Sequence, residues 1–252
     1  MNILFPQNIF SRLIASNLPD NLKDGVKFLP SALIVNEMKK INNCIGLIPT
    51  IDIIKNNDLF VSKSFGISFE GTLSNSFIYY NSPQKEITEI SLLGDVSSVE
   101  VVLSKILFQE IYDSAVNVKI ITDEAKAKNQ NLIIAGDSNF SGKKFTTGIS
   151  LAEEIVDTLS IPFVNFIFAS KDESLITKLH ENLVGISNLI YDKVEEINFG
   201  ENISEEAKNY IKDNISSFIM DFDSQDIEGI NQIIRLPYFH GMINDIFEVK
   251  YV

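Results

Sequence analysis

Three short apolar runs near the start of the chain, Ile3-Leu4-Phe5, Gly25–Leu29 and Cys44–Ile48, are separated by two amphipathic stretches, Asn8–Asn17 and Ser31–Lys40. Apolar runs too short for a core helix, alternating with segments of helical period, predict a βαβαβ unit. Parallel strands need a crossover long enough to hold a helix, so such a unit folds as a mainly parallel sheet with helices on its faces. Pro30-Ser31 and Pro49-Thr50 each couple an extended stop to a hydroxyl that starts a helix, and both lie where a strand ends. The alternation then lapses. Phe60–Ser62, Phe65–Phe69 and Ser76–Tyr80 follow with little room for helices, and Glu70-Gly71-Thr72 reads as a turn, which predicts antiparallel pairing or passage to a second sheet.

From Glu89 the alternation resumes. Strands are expected at Ile90–Leu93, Val116–Ile121, Leu132–Ala135 and Phe163–Phe168, with helices at Ser97–Tyr112, after Thr122 and at Leu151–Leu159. Beyond them Ser170–Lys193, Ser204–Ser217 and Asp223–Ile234 carry apolar residues at spacings of three and four, so the C-terminal region reads as helical. The expectation is an α/β chain of two lobes. Residues 1–85 with 170–252 form the first, residues 86–169 the second, and a ligand cleft lies between them.

A chain of 252 residues with 45% apolar content has ample material for a core. Its formal net charge of -13, with no local cluster of Lys or Arg, repels phosphate backbones and anionic lipid, so neither nucleic acid nor membrane is an expected partner. The run Leu159–Ala169 is broken by Pro162 and Asn165 and falls well short of the roughly 20 residues of a membrane helix. Met1–Pro6 lacks the basic and apolar regions of an export signal, and the single cysteine, Cys44, sits in an apolar run; a cytoplasmic location is therefore expected. The sequence holds no G-x-S-x-G, P-loop, H-E-x-x-H or Rossmann glycine motif, and no metal or cofactor is expected. Of the two histidines, His180 reads as a surface helix residue beside Lys178 and Glu181, and His240-Gly241 as a helix end.

Ligands of open α/β sheets bind at the strand ends that open helices. Pro6–Ser11 offers the amide of Asn8 and the hydroxyl of Ser11 there. Asp95–Ser98 opens the long helix, where free N–H groups and the hydroxyls of Ser97 and Ser98 make an anion site. Ala135–Ser138 pairs Gly136, which allows close backbone approach, with Asp137, which accepts from a substrate hydroxyl or orients a neighbour. Thr50 stands at the same edge. Ser97 and Asp95 also serve as ordinary helix caps and Asp137-Ser138 as an ordinary turn, and their joint placement around one cleft is what favours ligand contact. The expected partner is a small organic molecule, with carboxylates among the candidates, held by Thr50, Ser97, Ser98, Gly136 and Asp137.

Several segments, in order and spacing, resemble the chorismate dehydratase family of the futalosine route to menaquinone. They are Leu29–Ala32 through Ile45–Thr50, Phe65–Gly71, Asp95–Ser98 with its helix, Ile134–Asp137, Leu159–Val164 and Tyr210–Ile215. The resemblance implies a two-lobed, type II periplasmic-binding-protein-like fold with mainly parallel sheets and a helical C-terminal region. It also implies a lyase that eliminates water from chorismate in the cytoplasm, with Asn8 and Ser11 as the catalytic polar groups beside the departing hydroxyl. The family's first-strand motif, of the Ser-Tyr-Leu-Asn type, falls near Gln7–Ser11 and is not preserved as such. Its helix start runs Ser-Ser-Arg-Thr-Ser, whereas this chain continues Ser97-Ser98 with Val99-Glu100-Val101. These departures support a second expectation, a non-catalytic small-molecule-binding protein of the same fold with an altered ligand.

Overall fold

The computed structural model describes residues 1–81, 87–113, 115–123, 126, 130–141, 144–192, 194 and 203–252. The chain begins with β1 (Asn2–Pro6), α1 (Ile9–Asn17), α2 (Asp20–Lys23), β2 (Val26–Leu29), α3 (Ile34–Met38), β3 (Cys44–Pro49) and β4 (Phe60–Phe69). It continues through β5 (Ser76–Tyr79), β6 (Glu89–Gly94), α4 (Ser98–Tyr112), β7 (Asn117–Ile120), β8 (Asn131–Ala135), β9 (Ile149–Ser150) and α5 (Leu151–Leu159). The last part holds β10 (Phe163–Ser170), α6 (Glu173–Leu183), α7 (Ile186–Asp192), α8 (Glu205–Asp213), β11 (Phe218–Asp221), α9 (Ser224–Phe239) and β12 (Lys250–Tyr251). The short helix expected after Thr122 falls mostly outside the described residues.

The strands form two sheets. The first runs β11-β4-β10-β3-β1-β2, with β12 also on β4, and the second runs β7-β6-β8-β5-β9. Parallel pairing joins β2 to β1 to β3 and β7 to β6 to β8, as the alternating pattern requires. Antiparallel pairs come from the strands that carry the chain between sheets: β10 lies between β3 and β4, and β5 between β8 and β9. Both β3 and β10 are buried along their whole length, which is why they read as unbroken apolar runs: a strand covered on both faces has no polar side.

The lobe boundaries lie earlier than the spacing predicts. The boundary at 85/86 falls outside the described residues, but β5, expected in the first lobe, pairs in the second sheet. β10, expected as the last strand of the second lobe, is an interior strand of the first sheet. The chain therefore crosses between Phe69 and Ser76 and returns between Leu159 and Phe163. An apolar run buried on both faces carries no mark of which sheet it joins, and that is what misplaced β10. The expected helix Ser31–Lys40 is also shorter than its period suggests, a 3₁₀ turn at Ser31–Leu33 followed by α3.

One continuous apolar core spans both lobes. At their junction Phe10 of α1 sits with its ring centroid 4.8 Å from Phe69, 5.3 Å from Phe218 and 6.0 Å from Phe140. Phe140 belongs to the second lobe and meets Phe77 edge-on at 5.9 Å. Among the described residues no helix is long and apolar enough to cross a membrane.

Candidate functional site

Asn8 is the N-cap of α1, with extended φ of -128° and ψ of 165°, and its Oδ1 accepts from the Ser11 N–H at 2.9 Å. This is the ordinary reason for an Asn at that position, since the first helical N–H groups have no intrahelical partner. Its other polar atom has no such use. Asn8 Nδ2 and the Ser11 hydroxyl are both buried and have no hydrogen-bond partner.

In the second lobe β8 is followed by Gly136, whose φ of +80° and ψ of -159° suit glycine alone. The Gly136 N–H donates to the Asn75 carbonyl at 2.8 Å, and a Cβ there would stand 3.2 Å from Cβ of Asp95. This turn sends Asp137 across the junction. Its Oδ1 accepts from the Ile9 N–H at 2.7 Å and its Oδ2 from the Arg12 guanidinium at 2.5 Å. The start of α1, where dipole and free N–H groups favour an anion, is thus filled by a carboxylate from the opposite lobe.

A second carboxylate crosses in the same way. Asp95, just after β6, accepts from the Ser31 N–H at 2.8 Å and from the Ser31 hydroxyl at 2.6 Å. Burial pushes the Asp95 carboxyl above the usual range, Ser31 draws it back, and nearby Asp137 adds to the rise. A third carboxylate, Glu100, is fully buried in the first turn of α4. Its Oε2 accepts from the Ser97 N–H at 2.8 Å and the Ser97 hydroxyl at 2.6 Å, and its Oε1 from the Ser76 hydroxyl at 2.8 Å. Together with the bond from the Val99 N–H to Ser97 Oγ, this is a capping box, and it uses the hydroxyl expected to hold a ligand carboxylate.

Of the expected site residues, Asn8, Ser11, Gly136 and Asp137 meet at one junction. Thr50 is fully buried and donates to the Val164 carbonyl at 2.7 Å, tying the end of β3 to the start of β10. Ser97 turns to Glu100, whereas the Ser98 hydroxyl is buried without a hydrogen-bond partner near Asp52, whose carboxyl is raised chiefly by burial. The spacing also missed two residues. Asn75, just before β5, and Asn165, at the bulge of β10 against β4, are buried with both amide atoms unpartnered. Asn165 carried a signal, because it breaks an otherwise apolar run. His180 is half-buried with Nε2 2.7 Å from the Ser62 hydroxyl, and His240 ends α9 with Glu110 at 3.4 Å.

Two α/β lobes linked by paired crossings, with helix starts facing each other across the junction, define a type II periplasmic-binding-protein-like fold. Three solved structures share it along nearly their whole length. The periplasmic aliphatic sulphonate binding protein SsuA of Escherichia coli matches with a TM-score of 0.68 and 13% identity, over 99% of this chain and 94% of that one. Protein AF1704 of Archaeoglobus fulgidus matches at 0.63 and 8%, over 96% and 98%. The ligand binding component of an ABC-type import system of Staphylococcus aureus, solved with zinc bound, matches at 0.57 and 11%, over 97% and 92%. No family model matches the sequence, and a search of the curated proteins finds no match.

Proposed function

We propose that the chain binds a small polar organic molecule between its lobes and that Asn8, Ser11, Asn75 and Asn165 supply the contacts. The observation that carries this reading is their unpartnered, buried polar atoms, at the start of α1, just before β5 and on β10. Native interiors pair nearly all such atoms, because leaving one dry costs about 1–3 kcal/mol. The name of the sulphonate binding protein supports a small molecule as the class of ligand.

The ligand is neutral or cationic in preference to a carboxylate. Asp95, Glu100 and Asp137 already lie at the helix and turn starts where a ligand anion would be held. A binding protein of the cytoplasm without turnover fits these committed side chains better than a lyase does. The enzymatic form, a chorismate dehydratase-like elimination of water, rests on Asn8 and Ser11 alone, as the polar groups beside the departing hydroxyl.

One experiment separates the two. Purified protein is incubated with chorismate and followed by mass spectrometry for the dehydrated product, while melting is measured on the same samples across a set of small polar molecules. Stabilisation by one of them without product supports binding, since a ligand of the native state raises stability. Product formation restores the lyase. No stabilisation by any compound, together with no product, removes both.

A further inference from the structure

A cavity of about 200 Å³ opens where α4 and α9 pack on the 3₁₀ turn Thr50–Lys55. It shares no residue with Asn8, Ser11, Asn75 or Asn165. Its walls are apolar, made by Ile51, Ile54, Val102, Pro237, Met242 and Ile243. Polar lining comes from Asp52, Ser98 and Lys55. A dry cavity of about 150 Å³ holds benzene, so this one has room for a ring and a short polar arm.

Chemistry at the polar side selects the arm. The Ser98 hydroxyl in its lining is buried without a hydrogen-bond partner, and the Asp52 carboxyl group on the same side has lone pairs for several donors. Burial already disfavours its charge, and a cation seated against it relieves that. Lys55, one turn further on and exposed, already offsets part of that through its charge, which solvent screens. The chain's net charge of -13 repels an anionic arm and draws a cationic one.

We infer that this cavity binds a small amphipathic cation, an aryl or short alkyl body carrying one amine or amidine that pairs with Asp52. Ser98 and Val102 belong to the second lobe and the other lining residues to the first, so an occupant bridges the two and holds them in the observed arrangement.

The test uses the full chain with benzamidine and phenethylamine as probes and phenylacetate and benzyl alcohol as controls, read by melting and by NMR titration. Both cations should raise Tm in proportion to the logarithm of their concentration, and phenylacetate should not. Asp52→Asn should weaken benzamidine at least tenfold. Val102→Phe, which fills the cavity and leaves the carboxylate in place, should abolish binding and keeps the test decisive if Asp52→Asn does not fold. Ser11→Ala should leave benzamidine binding unchanged, which separates this site from the one between the sheet edges. Binding of phenylacetate as tight as that of benzamidine, unchanged affinity in both variants, or no binding by either cation overturns the proposal.

Discussion

A buried hydroxyl without a partner is a residue whose removal separates folding from function. Ser11 is such a group: its backbone N–H caps onto Asn8 while its Oγ meets nothing. Replacing an unpaired buried polar atom by an apolar one is near neutral or stabilising. Ser11→Ala should therefore leave the free energy of unfolding in urea unchanged or raise it by up to about 1–3 kcal/mol, and it should remove the stabilisation given by whatever ligand the junction binds. A loss above about 1.5 kcal/mol would mean that Ser11 has a structural partner after all. Asp137 behaves in the opposite way. Its bond to the Ile9 N–H is charge-assisted and worth about 1.5–3 kcal/mol, whereas its bridge to Arg12 adds at most about 1. That bridge is discounted because Arg12 is 36% and Asp137 28% exposed. Asp137→Ala should thus cost about 2–3 kcal/mol in urea and Asp137→Asn, which keeps an acceptor for Ile9, about 1 kcal/mol. Equal losses would show that the crossing contact contributes through its charge alone.

At the scale of elements, α1 is the piece that joins the lobes, because it offers Asn8 and Ile9 at one end and Phe10 to the junction core. Phe10 is fully buried among rings from both lobes, so Phe10→Ala should cost about 3–5 kcal/mol in chemical denaturation, near the top of the range for a large-to-small core change. A cost below about 1.5 kcal/mol would place the junction in water instead. The helix itself was legible in the sequence, as were β1, β3, α4, β8 and α5, because each has a clear period and an end marked by Asn, Ser, Pro or Gly. β11 and β12 were not. Phe218–Asp221 is only four residues long and follows directly on a helical pattern, and Lys250–Tyr251 is two, so neither has a period of its own. β4 read as two strands because Lys63-Ser64 breaks its apolar run. In space it is one strand paired with β10 along both halves, while its other edge takes β12 at Phe60 and Val61 and β11 from Phe65 onward, and long-range pairing of that kind leaves no local trace. The site divides along the same line. Asn8, Ser11 and Asp137 stand at strand ends that sequence can find, whereas the use of Asp95 and Asp137 as plugs across the junction depends on which lobe faces which.

For the whole molecule, the balance of acids sets how stability responds to pH. Asp52, Asp95, Glu154 and Asp226 all have carboxyls raised above their usual values, in each case chiefly by burial. A carboxyl that is harder to ionise in the folded chain than in the unfolded one withholds stability while it is charged. That stability returns as pH falls through the raised value, and it is complete only below the ordinary carboxylate range near about 4. His180 opposes the trend, since burial and Lys63 hold its imidazolium below the usual value. Its neutral form is the one the fold accepts, so acidification below about 6.5 charges the unfolded chain first and costs stability. Asp172, lowered by its bonds to Ser174, also opposes it, but it is fully exposed and solvent screening weakens it. Four acids, one buried and three half-buried, against one histidine, in a chain of net charge -13 whose self-repulsion also eases as protons bind, give the sign. Tm should rise as pH is lowered from 7.5 to 5 at constant ionic strength, and each kcal/mol regained is worth about 2–4 °C for a chain of this size. Added salt at pH 7.5 should move Tm in the same direction by screening the repulsion, though it leaves burial untouched and so should recover only part of the rise. His180→Gln removes the opposing imidazole and should steepen the slope below pH 6.5. A Tm that falls steadily from pH 7.5 to 5 in both the parent and His180→Gln would mean that the fold stabilises its half-buried acids as anions, so that their charge supports the structure instead of opposing it.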